Sequence, residues 1–171
     1  VAWEKDEGVR VDLYEPDATA RTLCPDVIPL EDGRYRMYIE ARSHAPGASE
    51  NRSFGAASQA TTIASAVSGD GLAWEVEGGL RFGDGVWSYG TPRVLYAEKE
   101  GSMGFRMYFH RYTHPLKSGL DAGNHIISAF SKDGLLFEEE EGVRVAQETD
   151  RETFSVYAPE VIRLGDGSYR M

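Results

Sequence analysis

Cysteine occurs once in the 171 residues, at Cys24, so no disulfide can close within the chain and no multi-cysteine zinc site can be built. Basic residues are scarce beside acidic ones: 18 Lys and Arg stand against 28 Asp and Glu, a net charge of −10. A protein that grips nucleic acid neutralises phosphates with clustered Lys and Arg, so nucleic acid is not expected as a partner. No apolar run approaches the roughly 18 residues of a membrane-spanning helix, and no membrane partner is expected. The first residues, VAWEKDEGVRVD, lack the basic-then-apolar order of a signal peptide, so the segment reads as soluble with its compartment open. The hydrophobic share of 41% is ordinary for a globular protein with a core.

What the chain has is an internal repeat. Cys24-Pro25-Asp26-Val27-Ile28, Thr91-Pro92-Arg93-Val94-Leu95 and Ala158-Pro159-Glu160-Val161-Ile162 align, with their prolines 67 residues apart twice in succession. An Arg-Met pair follows each in a strand-like run: Tyr35-Arg36-Met37-Tyr38, Phe105-Arg106-Met107-Tyr108 and Tyr169-Arg170-Met171. A third segment, Ile63 to Gly71 and again Ile127 to Gly134, ends in Ser-X-Asp-Gly-Leu. The fourth runs from an aromatic-Glu pair to Gly-X-Arg: Trp74 to Phe82, Phe137 to Val145, and Trp3 to Val11.

Each segment is short, β-branched or aromatic, and bounded by Gly, Asp or Pro, which predicts strands joined by hairpins. Asp32-Gly33 and Asp166-Gly167 mark the first turn of a unit, and Asp70-Gly71 and Asp133-Gly134 the third. Successive four-stranded antiparallel units predict an all-β fold, a β-propeller of blades packed radially. A β-sandwich is the alternative, but it gives no reason for a repeat with one four-part order. The expected divisions are 1–12 as the last strand of a blade, blades over 22–82 and 89–146, and the start of the next over 156–171. About four blades are the fewest that close a ring, so about two and a half leave it incomplete. Either the sequence is a piece of a longer protein or several copies complete the ring, and exposed strand edges favour homo-oligomers in both cases.

First strands line the central channel of a propeller, so Asp26, Arg93 and Glu160 are expected to converge on its axis. Trp87 and Tyr89 just before one such strand, and Phe154 and Tyr157 before another, either stack on sugar at the channel mouth or pack between blades. Of the four histidines, His44, His110, His114 and His125, the pair His110 and His114 flanks Arg111-Tyr112 near a rim. No ligand-spaced carboxylates surround that pair, so no metal is expected; His110 serves either sugar contact or packing. The long connections near 42–60 and 112–124 are candidate binding loops. Arg36, Arg106 and Arg170 recur in phase and are expected to make one structural contact per blade, while Glu138 to Glu141 reads as a solvated edge.

The Pro-Asp-Val-Ile and Ala-Pro-Glu-Val-Ile strands, Asp-Gly-(Arg/Ser)-Tyr-Arg-Met, and Ser-X-Asp-Gly-Leu-X-(Trp/Phe) together resemble the five-bladed β-propeller glycoside hydrolases of the arabinanase, xylosidase and invertase-like superfamily, families 43 and 32. The resemblance covers nearly the whole chain and is closest to uncharacterised bacterial and metagenomic glycosidase-like or sialidase-like propellers. It implies a carbohydrate substrate, no cofactor, an axial Asp as base or nucleophile, a second Asp that tunes, and a Glu as general acid. Asp26 and Glu160 match acidic positions and become the implied catalytic pair; Arg93 departs from the pattern and would orient substrate, with Trp87, Tyr89, His110 and Tyr157 as sugar contacts.

Glycoside hydrolysis needs one protonated and one ionised carboxyl about 5 to 9.5 Å apart. An arginine close to Glu160 would keep it ionised and oppose an acid role; one pointing away would not. A non-catalytic propeller binding a glycan or a protein is the alternative. The Ser-X-Asp-Gly segments also resemble the sialidase Asp-box, a turn remote from chemistry, so Asp70, Trp74, Asp133 and Phe137 are expected to fix hairpins and pack rings between blades.

Overall fold

A computed structural model describes residues 7–11, 21–42, 61–83, 87–112, 125–146 and 156–171. Among them no helix occurs, and the fold is all-β and antiparallel. The first sheet has strands β1 (Arg21–Pro29), β2 (Tyr35–Arg42), β3 (Thr62–Ser68) and β4 (Glu75–Val76) in simple sequential order. The second repeats that order with β5 (Ser88–Lys99), β6 (Ser102–Tyr112), β7 (His125–Ser131) and β8 (Glu138–Glu139). A two-stranded ladder, β9 (Ile162–Arg163) with β10 (Tyr169–Arg170), follows. Each four-stranded sheet is thus one sequence repeat. Residues 7–11 contain no strand, and the rest of the expected strand over 1–12 lies outside the described residues, as do Trp3, His44, His114, Phe154 and both long connections.

The fourth strand of each unit is shorter than its sequence suggests. After Glu75–Val76 the chain swings out through Gly78 and Gly79, and it returns to the sheet at a single bridge between Phe82 and Ile63. Val145 bridges Ile126 in the same way in the second sheet.

The core lies between the two sheets. Tyr38 and Ile63 of the first meet Tyr89, Met107, Phe109 and Ile127 of the second, all buried. β3 and β7 are covered on nearly their whole length, which suits small or branched residues on both faces. The Ser-X-Asp-Gly turns are closed by their own side chains. Ser68 Oγ accepts the Gly71 N–H at 2.9 Å, and Asp70 Oδ1 accepts those of Leu72 and Ala73 at 2.8 Å. Ser131 and Asp133 repeat the arrangement.

The second of these turns also joins the sheets. Arg36 Nη1 donates to the Asp133 carbonyl at 3.1 Å and Tyr38 Oη to the Gly134 carbonyl at 2.9 Å. Gly134 has φ of 73°, and a Cβ there would come within 2.7 Å of the Tyr38 hydroxyl, so both backbone and space require glycine. Phe137 then meets Tyr38 edge to face at 5.8 Å, a ring packed between sheets.

Two of the three recurrent arginines, Arg36 and Arg106, make the same contact in their sheets, while Arg170 is exposed. Arg36 binds Glu77 through Nε at 2.8 Å and Nη2 at 3.0 Å, while Arg106 binds Glu140 at 2.9 and 3.1 Å. Glu140 is therefore no solvated edge: it is half-buried and also accepts Ser128 Oγ at 2.6 Å. Glu138 and Glu139 beside it remain exposed.

Candidate functional site

The first strand of each sheet is broken at the same place. Between Leu23 and Asp26, two residues, Cys24 and Pro25, oppose Ile39 alone; between Gly90 and Arg93, Thr91 and Pro92 oppose Phe109 alone. Both are β-bulges, which turn the strand and re-aim the side chain that follows. The residue before each proline is left-handed: φ is 51° at Cys24, 48° at Thr91 and 50° at Ala158 in the third segment. Such a conformation is unfavourable for any residue but glycine, most of all for β-branched Thr91, and persists only where the surroundings impose it.

The two bulges and the third segment bring Asp26, Arg93 and Glu160 to one locality. Asp26 Oδ2 accepts the Val94 N–H at 2.6 Å, so the first axial side chain reaches the second first strand. Arg93 Nε donates to Glu160 Oε2 at 2.7 Å, so the second reaches the third. Arg93 Nη1 also donates to the Pro92 carbonyl at 2.8 Å, which holds the guanidinium against its own bulge. Burial pushes the Asp26 carboxyl above its ordinary range; the Val94 N–H and Arg93 oppose that rise, and Glu160 adds to it. Glu160 is the exposed member, with 70% of its side chain open against 25% for Arg93.

Of the expected aromatic contacts, Trp87 and Tyr157 stand open at 36% and 49% exposure. The Arg111 guanidinium lies 5.8 Å from the Trp87 ring centre, occupying one face. Tyr89 is corrected: it is buried, packed at 4.8 Å on Phe82 and 5.7 Å on Phe109, and presents no face to a sugar. His110 is corrected likewise, since its ring is wholly buried and stacks at 4.3 Å and 23° on Tyr157. Burial lowers its pKa to about 4, so the imidazole is neutral at ordinary pH.

Two residues that sequence reasoning passed over complete the site from below. Glu40, in β2, is 4% exposed, and its Oε2 accepts the Thr91 N–H at 3.1 Å. Thr91 Oγ1 and His110 Nδ1 share a hydrogen bond of 2.6 Å. The only signal for Glu40 is its register, opposite Leu23 and next to the bulge. Among the described residues no three His, Cys, Asp or Glu side chains gather as metal ligands would. The side chains can offer two carboxyls of unlike environment and a guanidinium bonded to one of them.

No family model matches the chain, and no curated protein matches it. Among solved structures it is similar to Zg3597, a family 117 glycoside hydrolase of the marine bacterium Zobellia galactanivorans, with TM-score 0.66 and 18% identity. The match covers 91% of this chain and 48% of that one, so this chain spans about half its length. A weaker likeness, TM-score 0.47 and 17% identity, is to a protein of Parabacteroides distasonis assigned provisionally to the glycoside hydrolases; it covers 69% of this chain and 31% of that one. At these identities the likeness is one of fold: this chain has the fold of part of a family 117 glycoside hydrolase.

Proposed function

We propose that the two sheets are blades of a five-bladed β-propeller, completed by further chain or by other copies, and that the protein is a glycoside hydrolase working at the axis. The observation that carries this reading is the convergence of the position whose charge changes between repeats: Asp26 bonded to Val94, and Arg93 bonded to Glu160. Scaffold contacts recur in kind from sheet to sheet, whereas a catalytic site needs unlike groups from successive blades. The fold shared with a family 117 glycoside hydrolase supports the same reading.

The environments exchange the roles that the resemblance implies. Glu160 enters the site already charge-paired and exposed, which suits a group that attacks or accepts a proton. Asp26, its carboxyl pushed upward by burial, is the better proton holder and general acid. Arg93 orients Glu160 and reaches substrate through the guanidinium edge that Glu160 leaves open; Trp87 and Tyr157 flank it with exposed rings.

A second reading, a propeller that binds a glycan or a protein without cleaving it, draws on the Arg93–Glu160 pair, which neutralises two of the three axial charges. A panel of aryl glycosides, including those of acidic sugars, separates the two with the whole protein as catalyst. Turnover is expected, and an Asp26→Ala, Glu160→Ala double variant should lack it. Equal rates in both proteins sink the hydrolase reading, and binding of the same glycans without turnover would select the second.

A further inference from the structure

The bulges that carry the axial side chains are clasped from the sheet before them. Glu40 pairs with Leu23 across the first sheet, and His110 pairs with Gly90 across the second. Each thus faces the residue just before the bulge of its own sheet, and each is buried, at 4% and 0% exposure. Neither serves that bulge alone. Glu40 crosses to the second sheet, where its carboxylate takes the N–H of Thr91, the left-handed residue of the next bulge. His110 lies against the third segment, its ring stacked at 4.3 Å on Tyr157, the neighbour of left-handed Ala158.

The two clasps differ in chemistry but share a place in the repeat. Gly90 and Tyr157 hold the same position in their segments, immediately before the left-handed residue. At Gly90 the Glu40 carboxylate occupies the space that a side chain would take: a Cβ there would approach Glu40 Cδ to 2.7 Å and His110 Cε1 to 2.9 Å. At Tyr157 the partner is a flat imidazole, and a ring fills the same position. His110 also bonds Thr91 Oγ1 at 2.6 Å, so Thr91 is held at both its N–H and its hydroxyl.

We propose that Glu40 and His110 are the positioning residues of the axial site, fixing Arg93 through Thr91 and Glu160 through Tyr157. Left to itself, a strand would relax from the left-handed conformation toward regular extension. Relaxation at Thr91 would move Arg93, two residues on, away from Glu160, and the Val94 N–H away from Asp26. Relaxation at Ala158 would move Glu160 from the other side. Glu40 acts on the Thr91 backbone, and His110 acts on the Thr91 hydroxyl and the Tyr157 ring beside it.

The inference rests on the axial cluster being the working site, and its test reads the geometry of that cluster by nuclear magnetic resonance of the whole protein. The probe is solvent exchange of the Arg93 Nε proton, hydrogen-bonded to Glu160 at 2.7 Å and assigned by its loss in Arg93→Lys. Glu40→Ala and His110→Ala should each speed that exchange at least about tenfold. Glu40→Gln, whose amide oxygen still accepts the Thr91 N–H, should keep it slow.

Ser68→Ala, which weakens a turn remote from the axis, controls for general loosening. Unchanged exchange in both alanine variants overturns the inference, and so does equal acceleration in Ser68→Ala. Should an alanine variant not fold, Thr91→Val, which removes only the hydroxyl bonded to His110, supplies the same readout with the same expected acceleration. Turnover enters nowhere, so failure here and failure of the hydrolase reading are separate results.

Discussion

Arg93 and Glu160, each two residues beyond a left-handed residue on successive first segments, meet in an ion pair of 2.7 Å. Asp26, at the same position one segment earlier, meets the backbone of Val94 instead. The axial position therefore carries two carboxyls in unlike surroundings, one exposed and charge-paired, one half-buried and pushed upward in pKa by that burial. Unlike surroundings for two carboxyls are what acid–base division of labour requires.

The division can be read from leaving-group dependence. A general acid matters little when the leaving group is already a stable anion. Asp26→Ala should hydrolyse a dinitrophenyl glycoside within about tenfold of the parent yet lose roughly 10²–10⁴-fold on an alkyl glycoside. Glu160→Ala should lose activity on both, with azide restoring part of it. The opposite pattern would return the acid role to Glu160.

The repeat, the strand order and the convergence of the three axial positions were legible because each rests on spacing, and spacing survives into the fold. The left-handed residues were not. Cys24, Thr91 and Ala158 carry none of the glycine or asparagine that announces positive φ, and the contact that Thr91 receives from Glu40 comes from another sheet. The burial of Tyr89 and His110 was hidden for a similar reason: the rings that cover them, Phe82 and Tyr157, are brought to them only by packing between segments. Glu40 and Glu140 hid behind the ordinary exposure of glutamate.

Gly90→Ala tests the fit of the Glu40 carboxylate directly. Its Cβ would meet the Glu40 carboxylate and the His110 ring, both buried and hydrogen-bonded to Thr91, so a loss of about 1–3 kcal/mol is expected in urea unfolding. Gly69→Ala, in an exposed turn with nothing within 4 Å of its Cβ, should be close to neutral. Equal effects would mean that the carboxylate shifts aside freely.

Two arginines two residues apart should behave very differently. Arg36, paired with Glu77 at side-chain exposures of 8% and 18%, also spans the sheets through Asp133. Arg36→Met leaves Glu77 nearly buried without its cation, and a cost of about 3–5 kcal/mol is expected. Arg34 pairs with Asp32 in the open, at 53% and 50% exposure, so Arg34→Met should leave stability nearly unchanged. Thermal or urea unfolding of the two variants side by side decides it; similar losses would remove Arg36 from the inter-sheet joint.

His110 makes stability depend on pH in a defined window. Its pKa falls from 6.5 to about 4 because burial disfavours the imidazolium, so the folded state takes up its proton later than the unfolded state. Above pH 6.5 the ring is neutral in both states and its contribution is fully present. As pH falls from 6.5 toward 4 the unfolded chain gains the proton first, and stability drains away. Below about 4 both states are protonated and the loss levels off, at on the order of 3 kcal/mol in total. His110→Gln removes this proton alone while every carboxylate titrates as before, so the difference between the two stability curves isolates it. The variant should lose ground to the parent at pH 7.5 and recover most of it at pH 4.5, in urea melts read at matched ionic strength. Parallel curves would mean that the imidazole is hydrated in solution and that the clasp on Tyr157 is open to water.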